Sequence, residues 1–181
     1  MPFSQAEVIL LQSSESTNLS TLNLIKTRPL GEGSIVYTHS QTQGKGQGSN
    51  RWESEPGKNL TATIVLYPAF LKPENQFMLT KVVSLSVCTL LDKYRLPYRA
   101  MIKWPNDIYI NHSKVAGILI SNEISGNKIS LTIAGLGLNI NQESFSKYAP
   151  GAISLKMLTG NEFDITKLRS DRHSAKEQRY K

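Results

Sequence analysis

The chain has 181 residues, of which 39% are hydrophobic and 19% charged, enough for one full hydrophobic core and little more. Its net charge of +7 invites a nucleic-acid reading, but residues 167–181 hold six Lys or Arg against two acids, leaving only +3 for residues 1–166. No apolar run nears the ~20 residues of a membrane span. No basic-apolar leader opens the chain, and its one cysteine, Cys88, excludes an internal disulfide, so the expected compartment is the cytoplasm.

In chain order, Glu7–Gln12 is short and apolar and predicts a first strand. Ser13 to Asn18 is rich in capping residues, and Leu19, Leu22, Leu24 and Ile25 follow at helical spacing up to Arg28-Pro29. Ser34–Thr38 reads as a strand that runs into the glycine-rich stretch Gln41–Trp52, and Asn59–Tyr67 is a longer β-prone run. Phe77–Tyr94 repeats apolar residues at helical intervals, with Cys88 inside it as a packing residue and Pro97 just beyond. Arg99–Lys103 predicts a strand stopped at Trp104-Pro105. Asp107–Ile110, Lys114–Asn122 and Lys128–Ala134 then predict a meander with turns at Asn111-His112 and Gly126-Asn127. Central strands with helices at the edges, and no strict βαβ alternation, give an α+β class with a mixed, mostly antiparallel sheet flanked by helices.

Several chemistries find no support. His39, His112 and His173 lie far apart and form no metal-ligand spacing, so no protein metal site is expected. There is no G-x-S-x-G elbow, H-E-x-x-H or C-x-x-C. Gly44, Gly46 and Gly48 fit neither a P-loop nor a dinucleotide fingerprint. Polar clusters remain. Ser16-Thr17-Asn18 is either a helix cap or a polar-group site at a helix start. The stretch Gly44-Lys45-Gly46-Gln47-Gly48 is either a flexible loop or a backbone cradle for a phosphate, with Arg51 for charge and Trp52 as a flat face. Lys103-Trp104-Pro105-Asn106-Asp107 is a rigid turn or a solvated strand end. Lys114, before Val115–Ile120, is an edge guard or a site residue. Gly135 and Gly137, ahead of Asn139, allow backbone to approach a ligand.

Taken together, Ser16-Thr17-Asn18, Gln41-x-x-Gly44-Lys45-Gly46, Trp52, Lys103-Trp104-Pro105-Asn106-Asp107, Lys114-x-Ala116-Gly117-Ile118-Leu119 and Gly135-x-Gly137-x-Asn139 resemble the catalytic domain of biotin protein ligases. The resemblance runs from about residue 8 to residue 165. It implies the fold shared with class II aminoacyl-tRNA synthetases. It also implies ATP-dependent activation of biotin to biotinyl-AMP and transfer to a lysine of a biotin carboxyl carrier protein, with Mg²⁺ arriving as the ATP complex. Ser16, Thr17 and Gln41 would then meet the biotin head, with Asn18 beside them. Gly44, Lys45, Gly46 and Gln47 would close over biotin and phosphate. Lys114 would lie between carboxylate and α-phosphate, Trp52 and Asn139 would flank the adenine, and Asp107 and Lys103 would orient nucleotide and incoming lysine. Asn106, Gly117, Gly135 and Gly137 belong to the same binding set.

Many loops of that family read G-R-G-R, whereas here Gln47 stands at the second arginine and Ser49-Asn50 replaces the commoner Gly-Arg. Nothing before Glu7 offers a winged helix, so DNA binding is not expected, nor is membrane binding. Residues 1–166 form the expected catalytic domain and 167–181 a basic, disordered tail, without the family's C-terminal β-barrel. Asn161–Ile165, after Gly160, resembles the start of a family helix. A homodimer through a sheet edge would be in keeping with the resemblance. The alternatives are a non-catalytic biotin or biotinyl-AMP binding module and a lipoate-type ligase.

Overall fold

The computed structural model describes residues 6–94, 96–147 and 149–166, so the tail read at 167–181 lies outside the described residues. Seven strands form one sheet in the order β1-β2-β3-β7-β6-β5-β4. They are β1 (Val8–Ser14), β2 (Ile35–Gln41), β3 (Leu60–Leu66), β4 (Met101–Lys103), β5 (Asp107–Ile110), β6 (Ser113–Ser125) and β7 (Lys128–Leu138). The β1–β2 pair is parallel and every other pair antiparallel. Helix α1 (Thr17–Thr27) supplies the crossover between β1 and β2 that parallel pairing requires. The α+β reading with a mixed, mostly antiparallel sheet is therefore correct.

Both faces of the sheet are covered, which explains why β3 is buried along its whole length instead of alternating. Val36, Val65, Leu131 and Ile133 face Leu22 and Ile25 of α1 on one side. Ile35, Ile64, Ala134 and Leu136 face the opposite way, into the larger core that takes Val83, Val87, Leu90 and Leu91 of helix α2 (Phe77–Asp92). The spacing of those α2 residues is the helical repeat seen in the sequence. Cys88 is half-buried on the flank of this core, in keeping with a packing role. Among the described residues, no helix is long and apolar enough to cross a membrane.

The turn chemistry also matches. Asn111 and His112 take φ of 47° and 63°, the left-handed pair that a tight two-residue hairpin needs, and Gly126 has φ 58°. Three features differ from expectation. Strand β7 does not stop at Ala134 but continues to Leu138, carrying Gly135 and Gly137 into mid-strand. Lys114 is no edge guard, because β6 is flanked by β5 and β7. A short helix α3 (Leu155–Thr159) was not anticipated, although Ser154 caps it through a bond from the Met157 N–H and Gly160 closes it at φ 73°. Beyond Gly160 the chain is not helical until residue 165, because the Asn141 side chain bonds both the Phe163 N–H (2.9 Å) and its carbonyl (2.8 Å).

Candidate active site

The centre of the sheet has no side chains of its own where Gly117 on β6 sits opposite Gly137 on β7. The indole of Trp52 lies on that bare strip. A Cβ on Gly137 would overlap the ring, and one on Gly117 would come within 3.1 Å of Trp52 Cζ3 and 3.3 Å of Lys114 Cε. One step along β7, a Cβ on Gly135 would overlap the Asn18 amide. The strand glycines thus receive the protein's own Trp52 and Asn18 side chains, where the sequence suggested room for a ligand against backbone.

Trp52 is delivered by a small hairpin. Lys45 bridges Arg51, the Gly46 N–H donates to the Asn50 carbonyl (2.8 Å), and the Trp52 N–H donates to the Gly44 carbonyl (2.9 Å). Gly48 turns its tip at φ 64°, and Gly44 passes so close to Gln41 that an added Cβ would lie 2.6 Å from Gln41 Nε2. The glycine stretch is therefore a formed hairpin, and not a loose linker. Lys45, Gly46 and Gln47 line the cavity beside it, while Gly44 serves the hairpin's base.

Ser16 occupies the N-cap position of α1, yet its side chain makes no capping bond and is 4% exposed. Its hydroxyl is not spent on the helix. Gln41 reaches back from the end of β2, and its Oε1 accepts from the Thr17 N–H (2.9 Å) and from the Thr17 hydroxyl (3.3 Å). Asn18 is a tie between strands: its Nδ2 donates to the Leu119 carbonyl on β6 (3.2 Å), and its Oδ1 accepts from Thr63 on β3 (2.7 Å). Ser16, Thr17, Asn18 and Gln41 all line the same cavity of about 210 Å³, together with Gly117, Gly135 and Gly137.

On the far wall a cis bond joins Trp104 to Pro105. Asn106 then locks to β6, donating from Nδ2 to the Ile118 carbonyl (2.7 Å) and accepting from the Ile118 N–H (2.9 Å). Asp107 forms an ion pair with Lys114, 2.7 Å from its Nζ, and that ammonium lies 5.8 Å from the Trp52 ring centre. Lys103 is not brought in. It is exposed on β4, where it donates to the Tyr109 hydroxyl (3.3 Å) over that ring.

A second cavity, also about 210 Å³, adjoins the first and shares Asn50, Arg51, Trp52, Asp107 and Lys114 with it. Asn139, Tyr109 and Phe145 line it further out. Its roof is the segment after β7, clamped where both Glu53 carboxylate oxygens accept from Ser146, one of them from the backbone N–H at 2.9 Å. Nothing in the local sequence marked Tyr109, Glu53 or Phe145, which reach the site only through tertiary packing. Two buried polar atoms here have no partner among the described residues, Trp52 Nε1 and Asn139 Oδ1. Such groups are costly to leave unpaired, and a bound ligand would satisfy them. Among the described residues no cluster of three His, Cys, Asp or Glu forms a metal cage.

Comparison with known proteins matches this architecture. The family model for the Biotin/lipoate A/B protein ligase family matches residues 10–139. The bifunctional ligase/repressor BirA of Bacillus spizizenii is 28% identical over 159 residues, 86% of this chain and 48% of that protein. The chloroplastic biotin–protein ligase 1 of Arabidopsis thaliana is 36% identical over 110 residues, 60% of this chain and 30% of that one. The structure of the Aquifex aeolicus biotin protein ligase in complex with biotin and ATP superposes with a TM-score of 0.79 at 26% identity, covering 96% of this chain and 69% of that one. The chain belongs to the biotin/lipoate A/B protein ligase family, and its fold is that of biotin protein ligase catalytic domains. It spans 48% and 30% of the length of those two sequence relatives.

Proposed function

We propose that this chain is a biotin protein ligase, which condenses biotin with ATP to biotinyl-AMP and passes the biotinyl group to a lysine of a biotin carboxyl carrier domain. The observation that carries the reading is the position of Lys114 Nζ between two adjoining cavities, one lined by Ser16, Thr17 and Gln41 and the other by Asn139. The biotin ureido group would take the uncommitted Ser16 hydroxyl and the Thr17–Gln41 pair, leaving its carboxylate directed toward Lys114. The adenine would lie in the second cavity, its amino group donating to Asn139 Oδ1.

In the first step a biotin carboxylate oxygen bonds to the α-phosphorus and pyrophosphate leaves. In the second, the acceptor lysine amine bonds to the acyl carbon, AMP leaves, and the amine's proton passes to solvent. Neither step needs a protein nucleophile. What the chain contributes is alignment and a fixed positive charge where negative charge gathers. Mg²⁺ would enter with ATP, held by phosphate oxygens, since Asp107 is committed to its ion pair with Lys114.

The direct test supplies biotin, ATP and Mg²⁺, measures acyl-adenylate and pyrophosphate, and then adds a carrier domain, with lipoate in parallel. Adenylate with biotin and biotinylated carrier are expected. Adenylate with lipoate alone would move the chain to the lipoate side of its family. Biotin binding without adenylate would make it a binding module.

Gln47 sets a smaller expectation. In the cavity-lining hairpin it offers neutral hydrogen bonds where an arginine would offer a bidentate cation to the adenylate phosphate. Gln47→Arg is expected to slow release of biotinyl-AMP about tenfold, in line with the ~1.5–3 kcal/mol of a hydrogen bond to a charged group. Filter-binding release rates decide it, and equal rates for the two proteins would contradict the argument.

A further inference from the structure

The ligase reading requires a macromolecular acceptor to press against the cavity rim, because its lysine must reach the acyl carbon on a side chain of fixed length. The rim is not uniform. The hairpin side is polar, carrying Gln47 and Asn50, whereas the opposite side leads from Pro105 into a group of exposed apolar residues. Trp104 is 77% exposed and Phe77 38%, and their rings lie 6.5 Å apart. Trp104 directly follows β4, the last strand of the sheet, whose three residues are all exposed. Exposed aromatic surface next to a reactive cavity is costly for a free monomer and is the usual make-up of an interface centre.

Charge identifies what the surface would receive. Lys81 lies over the Phe77 ring at 5.5 Å and Lys103 over Tyr109 at 4.7 Å, and neither has a carboxylate partner among the described residues. The acids that could have served are committed elsewhere: Asp107, opposite Lys103 in the β4–β5 register, pairs with Lys114, and Glu74 lies 4.0 Å from Lys72. An apolar centre with unpaired cations complements a partner with an apolar centre and an acidic border.

We propose that the face formed by Trp104, Phe77 and Lys81 is the docking surface for the acceptor protein, which meets it with an acidic face and presents its lysine over Pro105 into the cavity. This rests on the ligase reading, so the test separates the two. Trp104→Ser and Lys81→Glu are compared with the parent chain in two assays. The first is formation of hydroxylamine-trapped biotinyl-AMP, which needs no protein acceptor, and the second is transfer to a purified biotin carboxyl carrier domain. Adenylate formation is expected to stay within about twofold of the parent. The KM for the carrier is expected to rise about tenfold in Trp104→Ser. A smaller rise is expected in Lys81→Glu, with a weakened dependence on salt.

An unchanged carrier KM in both variants, with adenylate still formed, overturns the docking surface and leaves the ligase reading standing. Equal loss of adenylate formation and transfer in both variants also overturns it, by placing the face within the catalytic machinery. A concentration-dependent dimer that both variants abolish, without change in carrier KM, assigns the face to a second copy instead. A parent chain that makes no adenylate overturns the ligase reading and this proposal together.

Discussion

Replacing Lys114 with Met is expected to lower adenylate formation by about 10²–10³-fold, the usual effect of removing one preorganised charge-stabilising donor, while biotin affinity changes only a few-fold. The lysine's backbone is held independently of its side chain: its N–H donates to the Gly151 carbonyl (2.8 Å) and its carbonyl accepts from the Ile153 N–H (2.9 Å). Its side chain is 32% exposed, so losing it opens no sealed cavity in the core. The loss has two parts. One is the missing cation where the carboxylate and α-phosphate meet. The other is Asp107, whose carboxylate is 2.7 Å from Lys114 in the parent and would be left facing incoming phosphates without neutralisation. Lys114→Met combined with Asp107→Asn should therefore be more active than Lys114→Met alone, a non-additivity expected of groups in contact. Pyrophosphate release under saturating ATP measures the chemistry, and calorimetric titration of biotin measures the pocket. A Lys114→Met protein with parental turnover would remove Lys114 from the chemistry altogether.

Which features were legible in the sequence follows from how local their causes are. Helix α2 was readable because Val83, Val87, Leu90 and Leu91 all turn to one core. The Asn111-His112 hairpin was readable because few residues tolerate its dihedral angles. The end of β7 was misplaced because glycine is a poor strand former on its own, and only pairing with β3 and β6 on both sides keeps Gly135 and Gly137 extended. Asn18 resembled a capping residue, yet its amide bridges β3 and β6 through partners 45 and 101 residues away. Such separations leave no periodic trace. The same holds for the shared wall of the two cavities, where Trp52 comes from a hairpin, Lys114 from β6 and Asp107 from β5. Most of the short motifs nonetheless mark residues that line the cavities, being anchored where a strand or helix begins or ends, whereas Gly117, Gly135 and Gly137 lie within β6 and β7. Lys103 is the exception: its motif neighbours Asn106 and Asp107 enter the cavity, while β4 carries Lys103 onto the outer surface. Two residues of one motif can thus serve different surfaces, which is the separation between catalysis and docking proposed above.

Gly137→Ala should show how far catalysis depends on the bare strip under Trp52. A methyl group at this position has no room, because it would overlap the indole, and the backbone cannot yield. Gly137 is paired with Thr61 on one side and Gly117 on the other, at the centre of a sheet with both faces covered. The ring must therefore move, and the free space is the cavity it now borders. Overpacking of this kind typically costs about 1–3 kcal/mol in stability. The functional effect should be larger, because a displaced Trp52 would intrude on the space proposed for the nucleotide and disturb Lys114, whose ammonium lies 5.8 Å from the ring. Turnover with biotin and ATP is expected to fall by about 10²-fold, the scale at which small misplacement of reacting groups is felt. The protein carries its own reporter. Of its two tryptophans, Trp104 is 77% exposed while the Trp52 indole nitrogen is buried, so a displaced Trp52 should change the buried component of emission and leave the exposed one unaltered. Near-parental ATP dependence together with unchanged emission would mean that the strip accommodates a Cβ, and the role given to Trp52 as the wall between the two cavities would have to be abandoned.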